Sequence, residues 1–197
     1  MTSIPKIILA STSVFRRALL ERLEIPFEVI SPAYEEVAVA GESPEEMVQR
    51  QALGKAKAVQ AESGLVIGSD QCAALDDRIL GKPGNHEKAA EQLRASSGRT
   101  VRFHTGLCLL NAATGHYQVD NVIFEVSFRK LSESQFQNYL AREQPYQCAG
   151  SFKSEALGIA LFESMQGEDP SSLVGLPLIR LTSMFAEEGI ILPLAAD

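Results

Sequence analysis

A continuous apolar run, Leu65-Val66-Ile67-Gly68, is followed directly by the polar triplet Ser69-Asp70-Gln71. An uninterrupted apolar run of this length predicts a buried central strand. Similar short runs, such as Ile7-Ile8-Leu9-Ala10, alternate along the chain with segments that have amphipathic helical spacing. This alternation predicts an α/β fold. Two longer β-rich segments, 100–110 and 116–129, predict an antiparallel pair, so we expect a mixed sheet.

Capping signals set the expected helix boundaries. Ser13 is expected to cap the first helix. Ser43-Pro44-Glu45-Glu46 combines an N-cap, a first-turn proline and a capping box, and its helix is predicted to run to about Glu62. The segments 72–75 and 157–162 are each predicted to form a separate strand.

The composition limits the class of protein. The chain has 197 residues, 45% of them hydrophobic, which suits a single domain over 1–197 or one core with two lobes. No run approaches the roughly 18 apolar residues of a membrane helix, and residues 1–5 lack the pattern of a secretory signal. The three cysteines, Cys72, Cys108 and Cys148, form no C-x-x-C pair, so we expect a reducing, cytoplasmic compartment.

The net charge of −7 argues against a protein that grips a nucleic-acid polymer, because such proteins usually carry a basic surface. An anionic substrate would therefore be held by a few local basic groups. Arg16 and Arg17 are candidates, because they lie in the first turn of a helix whose dipole disfavours cations. A bound phosphate would reverse that effect, and Ser11 and Ser13 would add hydroxyl donors. Two solvated surface arginines remain the alternative.

Three further places carry candidate chemistry. Asp70 follows the apolar run, and a carboxylate at a strand end can hold a metal or accept a proton from water. Lys82, in Gly81-Lys82-Pro83, has its backbone restricted by the following proline and could bind phosphate as a point charge. Glu36 and Lys55 are ambiguous alone. Each of these also fits an ordinary turn, loop or surface position. The scattered histidines predict no zinc site.

Taken together, these pieces resemble the Maf family of nucleotide pyrophosphatases over nearly the whole chain. The resemblance rests on an ordered set of motifs: Ile8-Leu9-Ala10-Ser11-Thr12-Ser13, Arg16-Arg17, the acidic segment ending at Glu36, Gly54-Lys55-Ala56, Ile67-Gly68-Ser69-Asp70-Gln71, Gly81-Lys82-Pro83, Ala149-Gly150-Ser151-Phe152 and Val174-Gly175-Leu176-Pro177-Leu178. One departure is Val14, where family members often carry proline.

The resemblance implies a fold with a curved mixed β-sheet, flanking helices and a central cleft, like that of the ITPases, and homodimeric assembly. It implies cleavage of a nucleoside triphosphate between the α and β phosphates with Mg²⁺ or Mn²⁺. The implied roles are proton acceptor for Asp70, metal binding for Glu36 and Asp70, and phosphate binding for Ser11, Arg16, Arg17, Lys55 and Lys82.

Three positions that separate the subgroups of this family fall on Phe15, Gln71 and Glu155. Gln and Glu match the subgroup that acts on 7-methyl-GTP, and Phe15 keeps the aromatic character of its Trp. A cationic methylated ring stacks on an aromatic face, and a carboxylate accepts from two guanine donors. However, Phe15 also has helical spacing with Leu19 and Leu23, so a core position is the alternative.

Two other functions fit the same resemblance. One is a pyrophosphatase for other nucleotides, such as dTTP and UTP or inosine-type nucleotides. The other is a nucleotide-binding regulator of cell division without catalysis. Release of pyrophosphate from a panel of nucleotides would distinguish them.

Overall fold

A computed structural model describes residues 4–76 and 78–194, and within these residues the chain forms seven strands and five α-helices. The strands are β1 (Ile7–Ala10), β2 (Glu28–Ile30), β3 (Leu65–Leu75), β4 (Arg78–Leu80), β5 (Thr100–Asn111), β6 (Tyr117–Phe128) and β7 (Phe162–Gly167). The helices are α1 (Val14–Glu21), α2 (Pro44–Lys57), α3 (His86–Ser96), α4 (Glu133–Glu143) and α5 (Leu178–Glu187). In the part of the chain described here, no helix is long and apolar enough to cross a membrane.

The strands form one mixed sheet in the order β2-β1-β3-β5-β6-β7, with β4 paired to β3. Strand β1 is parallel to both β2 and β3, whereas the pairs β3–β4 and β6–β7 are antiparallel. The predicted α/β class with a mixed sheet and flanking helices is confirmed.

The chain separates into two compact units. The first unit contains Met1–Asp70, Thr105–Val122 and Asp169–Asp197, and the second contains Gln71–His104 and Ile123–Glu168. Strands β3, β5 and β6 each contribute residues to both units. A single domain over the whole chain stays a prediction.

In the first unit, apolar side chains are buried on both faces of the sheet, because successive residues of a strand point to opposite sides. One cluster includes Ile7, Leu9, Leu65 and Ile67 from the strands with residues of α1 and α5 such as Leu20, Leu181 and Phe185. The other includes Ile8, Ala10 and Val66 with Ala52 and Ala56 of α2. Burial on both faces explains why these strands are continuously apolar in sequence.

Helix α2 packs unusually close to the sheet because glycines face it. A Cβ atom on Gly68 would clash with the backbone oxygen of Ala52, and one on Gly106 would clash with that of Val48. Gly68 belongs to β3 and Gly106 to β5. Any larger residue at either position would have to displace the backbone of the helix.

In the second unit, four phenylalanines form the centre of the core. The rings of Phe103, Phe128, Phe152 and Phe162 pack edge to face, with centroids 4.7 to 5.5 Å apart. Such edge-to-face pairs add to the stabilisation that burial alone provides. This unit also contains α3 and α4.

Three predicted boundaries are wrong. The predicted strands 65–68 and 72–75 are one strand, β3, which continues through Ser69-Asp70-Gln71. Helix α2 ends at Lys57, not near Glu62, and the chain then buries Val59 against the second cluster of the first unit. The segment 157–162 is mostly a 3-10 helix, Leu157–Leu161, in which Gly158 packs against the backbone of Lys153, and the strand begins only at Phe162.

We predict that Gly68→Ala destabilises the protein by about 1–3 kcal/mol, the usual range for an overpacked core. The added methyl group would meet the backbone of α2, which cannot move aside without separating the helix from the sheet. Urea unfolding measures this change. Gly81→Ala is the control, since nothing lies near its Cβ, and its free energy of unfolding should change by less than about 1 kcal/mol. Equal stability of the two variants would contradict the proposed close packing of α2.

Candidate active site

Lys55 is the centre of a partly buried charge cluster in the first unit. Its Nζ lies 2.6 Å from Oδ1 of Asp70 and 2.6 Å from Oε1 of Glu36. The side chains of Lys55 and Asp70 are only 10% and 13% exposed, whereas that of Glu36 is 57% exposed. Three residues that are far apart in sequence, and were ambiguous there, therefore meet at one ammonium group.

The close packing of α2 on the sheet brings Lys55 to Asp70. On β3, Gly68 and Asp70 are two residues apart and so lie on the same face of the sheet. Gly68 is the point where Ala52 and Ala56 of α2 approach the strand. Lys55 immediately precedes Ala56, and its ammonium group reaches the next residue along that face, Asp70.

Asp70 is therefore in the middle of a strand, not after its end. Strand β3 continues for five residues beyond it, to Leu75. The expectation that Asp70 follows the carboxyl end of its own strand is therefore wrong. Its hydrogen bond with Lys55 gives the carboxylate a partner within the strand, and this is compatible with a polar triplet in the middle of β3.

Arg16 lies beside this cluster, at the start of α1. Its Nε donates a hydrogen bond to the carbonyl oxygen of Gly175 at 2.7 Å. Burial lowers the pKa of Arg16, whereas the negative charges of Asp70 and Glu36 raise it. Arg16 thus forms part of the electrostatic environment of both carboxylates and remains a cation.

The predicted cap of α1 is confirmed. The Oγ atom of Ser13 accepts from the backbone N–H of Arg16, and the Oγ atom of Ser11 accepts from the N–H of Ser13. Ser11 is buried next to the end of β1. The two serines hold the connection between β1 and α1, which fixes the position of Arg16.

Sequence reasoning missed the importance of the Gly175 carbonyl. Besides Arg16, this oxygen accepts a hydrogen bond from Oγ of the fully buried Ser69 at 2.9 Å. Gly175 has a φ of 111°, a conformation that favours glycine, and in this conformation its carbonyl oxygen accepts from both donors. The only sequence signal was the match of residues 174–178 to the family motif.

A buried aspartate supports this turn and was also missed. Asp169 is 2% exposed and accepts hydrogen bonds from the N–H groups of Ser171 and Ile179, at 3.0 and 2.7 Å. It therefore ties the turn that precedes Gly175 to the first residues of α5. The sequence Asp169-Pro170-Ser171 contains an N-cap signal that could have indicated this role.

The structure does not bring Arg17 into the cluster. Its Nε instead donates to Glu21 of the same helix at 3.0 Å, and both side chains are more than half exposed. This geometry is that of an ordinary surface ion pair, which contributes little stability. Phosphate binding by Arg17 stays a prediction.

Two predicted site residues, Lys82 and Glu155, belong to the second unit and are exposed. The loop around Lys82 is fixed, because Gly81 accepts from Gln92 at 3.0 Å and Gly84 donates to Tyr146 at 2.9 Å. Burial raises the pKa of a nearby thiol, Cys148; the charge of Glu155 also raises it and that of Lys82 lowers it.

Gln71, the third candidate in the second unit, follows Asp70 within β3 and is partly buried. For Phe15, the structure decides between a specificity position and a core position. Its side chain is 42% exposed, whereas Leu19, one turn further along α1, is buried. The alternative that Phe15 is a core residue is therefore wrong.

The charge cluster contains a donor set that suits a hard divalent cation. Among the described residues, no group of three or more His, Cys, Asp or Glu side chains could hold a metal. The two carboxylates of Asp70 and Glu36 nevertheless converge on one cationic atom, that of Lys55. Magnesium sites commonly use one or two carboxylates, with water and substrate phosphates as the other ligands, so Asp70 and Glu36 are of the chemical type that such an ion prefers.

Comparison with known proteins identifies the family. A family model described as Maf-like protein matches residues 6–188, nearly the whole chain. This α/β protein with a partly buried lysine–carboxylate cluster belongs to the Maf family.

Curated relatives are similar over almost their full length. A protein from Nitrosococcus oceani, named 7-methyl-GTP pyrophosphatase, is 54% identical over 187 residues, which cover 94% of each chain. A protein from Pseudomonas aeruginosa with the same name is 54% identical over 191 residues, 96% of this chain and 100% of the relative. A solved HAM1 protein from Coxiella burnetii aligns with a TM-score of 0.47 and 17% identity over 65% of this chain and 75% of that chain.

Proposed function

We propose that this protein is a metal-dependent nucleotide pyrophosphatase that hydrolyses 7-methyl-GTP to 7-methyl-GMP and diphosphate. The observation that carries the proposal is the convergence of Asp70, Glu36 and Lys55, with Arg16 beside them. Carboxylates and cations in one partly buried cluster can bind both a metal and a triphosphate. The name shared by relatives that are 54% identical supports the choice of substrate.

In the proposed mechanism, a water molecule attacks the α-phosphorus in line with the leaving diphosphate. Lys55 binds Oδ1 of Asp70, so we assign the proton of the attacking water to Oδ2. The bond from the α-phosphorus to the bridging oxygen breaks, and the products are a monophosphate and diphosphate. A divalent cation, Mg²⁺ or Mn²⁺, held by Asp70 and Glu36, would neutralise charge on the phosphate oxygens.

The basic residues are proposed to bind the phosphates. Arg16 is partly buried and is held by its hydrogen bond to Gly175, and Lys55 is held by its contact with Asp70. Because both cations have fixed positions, they are suited to stabilise the charge that develops on the leaving group. We assign Ser11, Arg17 and Lys82 to phosphate binding as well. The dipole of α1 would add to this binding, although the N–H groups of Ser13 and Arg16 already donate to Ser11 and Ser13.

The specificity for the base is assigned to Phe15, Gln71 and Glu155. The exposed ring of Phe15 offers a face on which a cationic methylated base can stack. The exposed carboxylate of Glu155 can accept hydrogen bonds from N1–H and N2–H₂ of guanine together. A pyrimidine would present a carbonyl oxygen to this carboxylate, which is unfavourable.

None of the three cysteines forms a disulfide. We propose the cytoplasm as the compartment of the protein, because reducing compartments maintain free thiols. A homodimer is the proposed assembly.

The test of this function is the release of pyrophosphate from 7-methyl-GTP, GTP, ITP, dTTP and UTP with Mg²⁺ or Mn²⁺. We expect 7-methyl-GTP to be the best substrate. Glu155→Gln and Phe15→Ala should each reduce the preference for it, because they remove the charged acceptor and the stacking surface. Val14→Ala is the control, since Val14 is next to Phe15 and 71% exposed.

Faster hydrolysis of dTTP or UTP than of 7-methyl-GTP would refute the substrate assignment. Nucleotide binding without any pyrophosphate release would favour a regulator over an enzyme.

We predict that Asp70→Asn lowers kcat by about 10²- to 10⁴-fold, the usual contribution of a general base. The amide has the same shape but cannot accept the proton, so the affinity for a non-hydrolysable nucleotide analogue should change much less than kcat. Single-turnover kinetics and calorimetric binding measure the two quantities. Asp76→Asn is the matched control, because Asp76 is an exposed aspartate just after β3. Near-normal turnover by Asp70→Asn would remove Asp70 from the mechanism.

We also predict that activity depends wholly on added divalent metal. Two carboxylates, one of them more than half exposed, should exchange the ion freely, so dialysis against EDTA should abolish pyrophosphate release. Activity should return on addition of Mg²⁺ or Mn²⁺, while circular dichroism shows that the fold is unchanged. Full activity after exhaustive EDTA treatment would contradict the assigned site.

A further inference from the structure

Glu143, the last residue of α4, contacts both ends of a short turn in the second unit. The Nζ atom of Lys153 donates a hydrogen bond to the backbone oxygen of Glu143 at 2.8 Å and lies 3.6 Å from its Oε2. The backbone N–H of Leu157 donates to Oε1 of the same side chain at 3.4 Å. Glu155 lies midway between these two anchored residues.

The turn is also fixed from within and by a second residue of α4. The backbone N–H of Lys153 donates to the hydroxyl oxygen of Tyr139 at 3.0 Å, and Tyr139 is only 3% exposed. The N–H of Ala156 donates to the carbonyl of Lys153 at 3.4 Å. Gly158 packs so closely on this carbonyl that a Cβ atom would clash with it. The backbone on either side of Glu155 is therefore held in place.

Glu143 and Glu155 differ in their contact with Lys153 and in their exposure to solvent. Lys153 is paired with Glu143, and its ammonium group also lies at the C-terminus of α4, where the helix dipole favours a cation. The side chain of Glu143 is 20% exposed, whereas Glu155 is exposed. Lys153 thus neutralises the partly buried Glu143. The exposed Glu155 accepts a hydrogen bond from Oγ of Ser154 at 3.3 Å through Oε2 and keeps other lone pairs for further donors.

We propose that Glu143 and Tyr139 are positioning residues for base selection. They hold the turn 153–157 so that the carboxylate of Glu155 is presented in one orientation to the guanine edge. A carboxylate that accepts two hydrogen bonds must be held within a narrow range of angles, because both oxygens have to reach their donors at once. This inference rests on the proposed function of Glu155.

A purely structural role for Glu143 makes a different prediction. Loosening of α4 would lower the activity toward every nucleotide by a similar factor. A positioning role affects only substrates whose base is bound by Glu155, so it changes the ratio of specificity constants between 7-methyl-GTP and UTP.

The experiment compares kcat/KM for 7-methyl-GTP, GTP and UTP in the full-length protein. We expect Glu143→Ala to lower the ratio of 7-methyl-GTP to UTP by about tenfold, the effect of losing one charge-assisted hydrogen bond. The loss should arise in KM and not in kcat. Glu143→Gln retains an acceptor for Leu157 and should retain most of the preference. Arg142→Ala, which changes the exposed neighbour on the same helix, should leave the ratio unchanged.

A double-mutant cycle separates the positioning role from an independent effect. Glu143→Ala combined with Glu155→Gln should have the same ratio as Glu155→Gln alone, because the turn then has no carboxylate to position. Tyr139→Phe, which keeps the buried ring and loses the acceptor for Lys153, should reproduce the effect if Glu143→Ala does not fold.

Four outcomes would overturn the inference. An equal loss toward all nucleotides would show that Glu143 acts on stability and not on base selection. An additive double mutant would show that Glu143 acts independently of Glu155. If Glu155→Gln loses the preference while Glu143→Ala and Tyr139→Phe keep it, only this inference fails. If the wild-type protein has no preference for 7-methyl-GTP, the proposed function fails and the inference fails with it.

Discussion

The interaction on which the candidate site depends is the contact of one ammonium group with two carboxylates. Asp70 and Glu36 would repel each other if they were brought together alone, and Lys55 at 2.6 Å from each removes that repulsion. Because Asp70 is largely buried, loss of Lys55 would remove the ammonium group that compensates its carboxylate, whereas loss of the Asp70 charge would leave Lys55 paired with Glu36. The cluster is stable only if α2 places the ammonium group of Lys55 within contact distance of Asp70 on β3, and this constrains the packing of α2 on the sheet.

The packing of α2 explains why residues without charge matter to a charged site. Gly68 and Gly106 remove the side chains that would separate the helix from the sheet, and Ala52 supplies a small residue on the facing side. Hydrogen bonds and ion pairs as short as those of Lys55 do not tolerate a displacement of an ångström. The glycines therefore determine the geometry of the carboxylates, although neither glycine takes part in the chemistry.

The sequence predicted those elements whose signals are local. The Ser43 capping box and the Ser13 cap depend on residues within one helical turn, and both were found as expected. The continuity of β3 was missed because Ser69-Asp70-Gln71 has the polarity of a turn. The strand continues there because its polar groups have partners far away in sequence. Ser69 binds Gly175, which is 106 residues further along the chain, and sequence patterns do not reveal such a pair.

The same distinction applies to the site. Acidic and basic residues could be picked out as candidates, but their grouping came from the family resemblance, since Lys55 and Asp70 are individually ordinary. The carbonyl of Gly175 could not be predicted at all, because a backbone oxygen carries no residue-specific signal. Its role depends on a positive φ and on two donors, Arg16 and Ser69, that come from different elements.

The proposed selectivity divides into two energetic contributions of different size. A cation stacked on a partly exposed ring such as Phe15 gains about 0.5–1 kcal/mol, a factor of about two to five. Each charge-assisted hydrogen bond from the base to Glu155 would contribute about 1.5–3 kcal/mol, a factor of more than ten. The Glu155 carboxylate would accept hydrogen bonds from donors that methylated and unmethylated guanine share, whereas the Phe15 ring would respond to the positive charge that methylation adds. With Phe15 in place of Trp, the choice of guanine over a pyrimidine should therefore be strict. The choice of methylated over unmethylated guanine should be the weaker of the two, because it depends mainly on the smaller contribution.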